Sequence, residues 1–221
     1  MSQINGVIVP AITFFNKNFE INTELNSILI RHILLNGANA IYFFGITGEG
    51  LYFADKIEQK EELIKLAYEI KDNIPIFIGV FGNEVDDVID QIDLLGKKYT
   101  NIKYFIAPPF STKLTNPELK LYFENILSSV NDSHDIYLYH NPVEFSKNEI
   151  NPSIVQDLIK FQNLKGLKDA SNKIYNYKAY IQMLDEEFHV YCGEESNFSY
   201  FLQLIPPEYR KYSGLVPSIG N

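Results

Sequence analysis

Residues 75–107 read PIFIGVFGNEVDDVIDQIDLLGKKYTNIKYFIA. The first six and the last six residues of this stretch are short apolar runs rich in Ile, Phe, Val and Tyr, each of strand length. Between them, Asn83 precedes Val85, Val88, Ile89, Ile92 and Leu95, which recur at helical spacing. The runs are nearly continuous in hydrophobicity rather than alternating, as a sheet covered on both faces requires. Strand, helix and strand in this order make one parallel crossover unit.

The same unit repeats in both directions. Apolar runs stand at Gly6–Phe14, Ala40–Phe44, Asp135–Tyr139, Leu164–Lys168, Phe188–Cys192 and Ser213–Val216. Amphipathic segments separate them. Leu25, Ile28, Leu29, His32 and Ile33 share one helical face, with Gly37 as the stop. Asp55 precedes a second such helix; Asn116-Pro117 and Asn151-Pro152 read as caps followed by Pro at the first helical position. Asn172 and Glu195 open two more, ending near Leu184 and Leu204. Eight strands and seven helices predict an α/β chain, closed as a (β/α)8 TIM barrel, in one domain spanning residues 1–221. No Gly-rich dinucleotide fingerprint follows the first run, which disfavours the open, doubly wound alternative. The chain stops just after the eighth strand, so the barrel is expected to be truncated there, with a bare apolar flank at its seam.

Composition narrows the partners. Among 221 residues, 19 basic against 28 acidic side chains give a net charge of −9. Nucleic acid and anionic membranes call for the opposite sign, so neither is expected. The single Cys192 excludes an intramolecular disulfide framework and fits a reducing cytoplasm. Residues 1–5 lack the charged start of a leader, and no apolar run reaches the ~18 residues of a membrane span.

Active sites of such barrels lie at the C-terminal ends of the strands. Gly45-Ile46-Thr47-Gly48-Glu49-Gly50 follows the second run; it is either a simple tight turn or an anion cradle of amides plus the Thr47 hydroxyl. Tyr139-His140-Asn141-Pro142 ends the fifth. A lone Tyr there is usually a core aromatic, and His140 has no second His or Cys at metal-ligand spacing. Gly166-Leu167-Lys168-Asp169 ends the sixth, and here the bland reading is harder. A Lys inside an apolar strand is costly unless paired or deprotonated, and a neutral amine can attack a carbonyl to form a Schiff base. Gly193-Glu194-Glu195-Ser196 ends the seventh, where carboxylates either cap a helix or face a ligand.

Together these elements resemble the dihydrodipicolinate synthase/N-acetylneuraminate lyase family of class I Schiff-base aldolases. Gly45-Ile46-Thr47-Gly48-Glu49 is similar to that family's Gly-Thr-Thr-Gly-Glu, Tyr139-His140-Asn141-Pro142 to its Tyr-Asn-x-Pro, and Gly166-Leu167-Lys168-Asp169 to its Gly-[Ile/Val]-Lys-Asp. The resemblance implies catalytic Lys168, forming an imine with a 2-keto acid, and catalytic Tyr139, moving protons. It implies substrate-binding positions at Thr47, Gly48, Gly193, Glu195, Val216 and Ser218, no metal and no cofactor. Homodimers or homotetramers are expected.

Three departures bear on the reaction. Ile46 stands where the family has a relay hydroxyl, Phe110 where the synthase has a relay tyrosine, and Glu144 where the synthase has an arginine for its second substrate. Glu195 and Ser218 instead match positions at which sugar-acid aldolases grip hydroxyls. The expectation is therefore cleavage of a 2-keto-3-deoxy sugar acid or a sialic-acid-like substrate to pyruvate and an aldehyde. The alternatives are 4-hydroxy-tetrahydrodipicolinate synthesis from pyruvate and aspartate semialdehyde, or a non-catalytic barrel serving as a binding or assembly subunit.

Overall fold

Each of the eight apolar runs forms a strand in the computed structural model, which describes residues 6–221; the expectation about residues 1–5 lies outside them. In chain order the elements are β1 (Gly6–Pro10), α1 (Thr23–Leu35), β2 (Ala40–Phe43), α2 (Ile57–Ile70), β3 (Ile76–Val80), α3 (Val85–Gly96), β4 (Ile102–Ile106) and α4 (Asn116–Ser129). There follow β5 (Asp135–His140), α5 (Pro152–Leu158), β6 (Leu164–Asp169), α6 (Ile174–Ile181), β7 (His189–Cys192), α7 (Phe198–Leu204) and β8 (Ser213–Leu215). Every strand pairs in parallel with its sequence neighbours, and β8 pairs with β1 to close the barrel.

Side chains divide into two cores. The outward faces of the strands and the inward faces of the helices form the larger one, with Ile41, Ile78, Ile106, Leu138, Leu167 and Val190 all inaccessible. The barrel interior forms the second and is unusually aromatic: Tyr42, Phe77, Phe81, Phe105, Tyr137, Tyr139 and Tyr191. Branched aliphatics are commoner there. The room comes from small neighbours. A Cβ on Gly166 would fall 2.9 Å from the Tyr137 ring, and one on Gly214 3.2 Å from the Tyr191 ring.

Helix starts depart from the sequence reading in instructive ways. Asn22 caps α1 by accepting from the Leu25 amide. The start of α3 is a reciprocal box of Glu84 and Asp87, and that of α4 a box of Thr115 and Glu118. Asn83 is freed from capping; its Oδ1 accepts from the Phe110 and Ser111 amides and ties the β3 loop to the β4 loop. Asp55 precedes α2 as expected, with Lys56 at the cap position. Asn172 lies outside the helix it was expected to open, where Lys173 takes the cap position, and Glu195 begins a 3-10 turn, Glu195–Asn197, ahead of α7.

The seam is less bare than the sequence suggests. Ile8 and Val9 of β1 are buried, and a Cβ on Gly220, in the last 3-10 turn, would fall 3.0 Å from Val9. Val7 and Leu215 stay half-buried.

Candidate active site

The β5–β6 ladder decides which way Lys168 points. Ile136 pairs with Leu164, but Tyr137 pairs with Gly166, so Lys165 is an extra, bulged residue. Its side chain turns out to an ion pair with Glu187 at 3.1 Å. Because side chains alternate with period two, that one residue exchanges the faces of everything after it. Gly166 and Lys168 are thereby brought inward, opposite Tyr137 and Tyr139, and Asp169 outward.

Lys168 is 5% exposed and makes no hydrogen bond to any described residue. Its Nζ lies 4.2 Å from the Tyr139 ring centroid and 5.2 Å from that of Tyr42. Burial lowers its pKa from 10.5 to about 7, against the opposing pull of the Glu194 and Glu195 charges. A substantial neutral fraction is thus present near neutrality. Gly193 makes room for it: a Cβ there would fall 3.0 Å from Lys168 Cε.

Tyr139 is 3% exposed, and its hydroxyl accepts a hydrogen bond from Asn141 Nδ2 at 3.0 Å. Burial pushes its pKa up, so the phenol is a proton donor at neutral pH. Phe81, Phe145 and Phe105 wall it in, and Val216 and half-buried Ile46 and Phe110 belong to the same cluster. Burial also raises the Glu194 carboxyl, helped by the Glu195 charge.

At the Gly45–Gly50 turn, the Thr47 amide and hydroxyl make no hydrogen bond among the described residues. Gly48 corrects the sequence expectation. Its N–H is already donated to the Gly45 carbonyl at 3.1 Å, and its own carbonyl accepts from Thr13 Oγ1 at 2.9 Å. The i to i+3 closure of the turn uses this amide, while the Thr47 amide stays free to donate. Ser218 is exposed in the turn after β8, where its carbonyl accepts from Asn221 Nδ2.

His140 is a satisfied core residue on the outer face of the sheet. Its Nε2 lies 3.2 Å from Glu149 Oε2, and its Nδ1 3.2 Å from both Asp169 Oδ1 and the Tyr180 hydroxyl. Sequence reasoning missed Tyr42. It sits within an apolar strand run, and nothing in the run's composition separates it from ordinary core. It missed Glu194's electrostatic role for a related reason, since Glu194 and Glu195 are indistinguishable in one dimension.

Comparison with known proteins accords with this geometry. The model of the dihydrodipicolinate synthetase family matches residues 3–204. A 4-hydroxy-tetrahydrodipicolinate synthase of Wigglesworthia glossinidia brevipalpis is 28% identical over 91% of this chain and 66% of that protein. A 2-dehydro-3-deoxy-D-gluconate/2-dehydro-3-deoxy-phosphogluconate aldolase of Picrophilus torridus is 27% identical over 83% of this chain and 66% of its own length. The solved 2-keto 3-deoxygluconate aldolase from Picrophilus torridus superposes with a TM-score of 0.84 at 25% identity, covering 98% of this chain and 74% of that one. The chain spans just under two thirds of the length of the first two relatives, at 66% each. With its inward lysine, facing tyrosine and threonine turn on a closed parallel barrel, the chain belongs to the dihydrodipicolinate synthetase family.

Proposed function

We propose that the chain is a class I, Schiff-base lyase that cleaves a 2-keto-3-deoxy sugar acid, or a sialic-acid-like substrate, to pyruvate and an aldehyde. The observation that carries this reading is the Lys168 amine. It is buried, unbonded, poised at about pH 7 and faces a protonated phenol.

The steps follow from those groups. The neutral amine adds to the C2 keto carbon; the C–N bond forms and the carbonyl π pair moves to oxygen, while a proton passes from nitrogen to that oxygen. The hydroxyl then leaves as water with a proton from Tyr139, giving the iminium. The Tyr139 phenolate takes the proton of the C4 hydroxyl, the C3–C4 bond breaks, and its electron pair enters the enamine as the aldehyde departs. C3 takes up a proton, and water hydrolyses the imine to release pyruvate and restore the amine. The Thr47 amide and hydroxyl hold the substrate carboxylate. Gly193 and Val216 shape the pocket around the lysine, and Glu195 and Ser218 meet the hydroxyls of the departing chain. Gly48 contributes by closing the turn that presents Thr47.

Cleavage is favoured over the synthase reaction by three side chains. Ile46 and Phe110 bring only hydrocarbon to the mouth. Glu144 is exposed and close enough for its charge to raise Tyr139, so it would repel a second carboxylate. The relatives carry both names, so the synthase reaction is the second reading. On family resemblance we also place the enzyme in the cytoplasm as a homodimer or homotetramer. A panel assay reading pyruvate produced or consumed tests the substrate: pyruvate release from a 2-keto-3-deoxy sugar acid or a sialic acid is expected. Robust condensation of pyruvate with aspartate semialdehyde would overturn the cleavage reading.

A further inference from the structure

Four tyrosines line the barrel interior, and their hydroxyls fare differently. Tyr137 and Tyr191 hydrogen-bond to each other. Tyr139 accepts from Asn141. The Tyr42 hydroxyl is fully buried and has no partner among the described residues. A buried tyrosine hydroxyl ordinarily finds one, and leaving it unmet is costly.

Its position is informative. The Tyr42 ring stands beneath the Lys168 amine at 5.2 Å and edge-on to Tyr139 at 6.5 Å between centroids. Phe105 backs it at 4.7 Å and fixes its tilt. Its far end abuts the first residue of the threonine turn: a Cβ on Gly45 would fall 2.7 Å from Tyr42 Cε1 and 3.2 Å from its hydroxyl oxygen. Only glycine fits there. The hydroxyl therefore lies between the amine and the turn that offers the Thr47 amide, the interval a 2-keto acid must bridge if its C2 is to meet Lys168 and its carboxylate Thr47. Ile46, Leu51 and Phe110, the half-buried side chains packed against the same interior cluster, have no polar hydrogen to give.

We propose that Tyr42 is a further catalytic residue, whose hydroxyl meets the keto oxygen of the substrate and carries the proton from nitrogen to oxygen as the carbinolamine forms. This rests on the Schiff-base reading above. As the Lys168 N–C2 bond forms, the carbonyl π pair moves to oxygen, and oxygen takes the Tyr42 proton. The resulting phenolate takes a proton from the newly cationic nitrogen. The net change is one proton moved from nitrogen to oxygen, with the phenol regenerated. Burial and the neighbouring Tyr139 both hold Tyr42 in its protonated form, as a donor must be. Two phenols then divide the work: Tyr42 serves imine formation, and Tyr139 the water loss and the C4 hydroxyl.

The test is rapid-quench borohydride trapping with pyruvate, read by mass, on wild type, Tyr42→Phe and Lys168→Ala. Tyr42→Phe keeps the ring and its packing, so the fold should melt no lower than wild type. The trapping rate at saturating pyruvate should fall about 10²-fold, with the half-saturating pyruvate concentration little changed. A wild-type adduct with an equal rate in Tyr42→Phe would overturn the role of Tyr42 and leave the Schiff-base reading standing. No adduct in folded wild type would overturn both. Should Tyr42→Phe fail to fold, 3-fluorotyrosine at position 42 retains the hydroxyl and makes it more acidic. A changed pH profile of trapping is then expected, and an unchanged one overturns the proposal.

Discussion

Two lysines of this protein are driven by burial to the same pKa of about 7, yet they sit in opposite kinds of surroundings. Lys60 of α2 lies in the helix–sheet layer, fully inaccessible. Its Nζ donates to the Gly79 carbonyl at 3.1 Å and to Gln91 Oε1 at 2.7 Å. Lys168 lies in the barrel interior with aromatic faces around it and no acceptor among the described residues. Lys60 joins α2 to β3 and α3, and its donors are spent on that. Lys168 has its lone pair and its protons free for a ligand. A lowered pKa marks both; only the hydrogen-bond inventory tells a tie from a nucleophile.

The comparison breaks most sharply at the amine itself. Lys168→Ala should abolish the borohydride-trapped adduct and reduce turnover by about 10⁴-fold or more, with a folded circular dichroism spectrum. Lys60→Met should retain the adduct. An adduct lost in Lys60→Met and kept in Lys168→Ala would reverse the assignment of the two lysines.

A second, smaller effect separates them in stability. The unfolded lysine titrates near 10.5 and the folded one near 7, so between those pH values the unfolded chain binds more protons. Each buried lysine therefore makes stability rise with pH across that window and fall again on acidification towards pH 7. Lys60→Met should flatten the rise, read as the difference in urea midpoint between pH 7 and pH 9. An unchanged difference would mean that Lys60 is charged throughout.

The smallest effect concerns the neighbours of Lys168. The Glu194 charge raises the amine's pKa. Glu194→Gln should shift the rising limb of the trapping profile to lower pH, with the plateau rate little altered. A shift in the opposite sense would place Glu194 outside the amine's electrostatic reach.

Much of this was legible in one dimension. The eight apolar runs and their order specify a parallel barrel because continuous hydrophobicity and crossover helices leave few other packings. Lys168 stood out because an ionisable group in such a run demands a reason. What was hidden depends on contacts between distant segments. Asn83 looks like a helix cap by position, yet it serves Phe110 and Ser111, 27 and 28 residues away. Gly48 looks like an open amide until the turn closes on it. Tyr42 differs from Tyr137 and Tyr191 only in what its hydroxyl fails to reach.

The bulge at Lys165 carries one more consequence, best put in terms of the gene. Removing that single codon keeps the message in frame for the ribosome and leaves β6 in phase for the sheet. Leu164 and Gly166 already stand opposite Ile136 and Tyr137, and Lys168 would still stand opposite Tyr139 and face the barrel interior. Removing the codon for Leu167 instead would set Lys168 next to Gly166 and turn the amine to the helix layer. The same three-base deletion is therefore silent at one position of β6 and ruinous two codons on, a difference that substitution-based comparisons of residue 168 would not register.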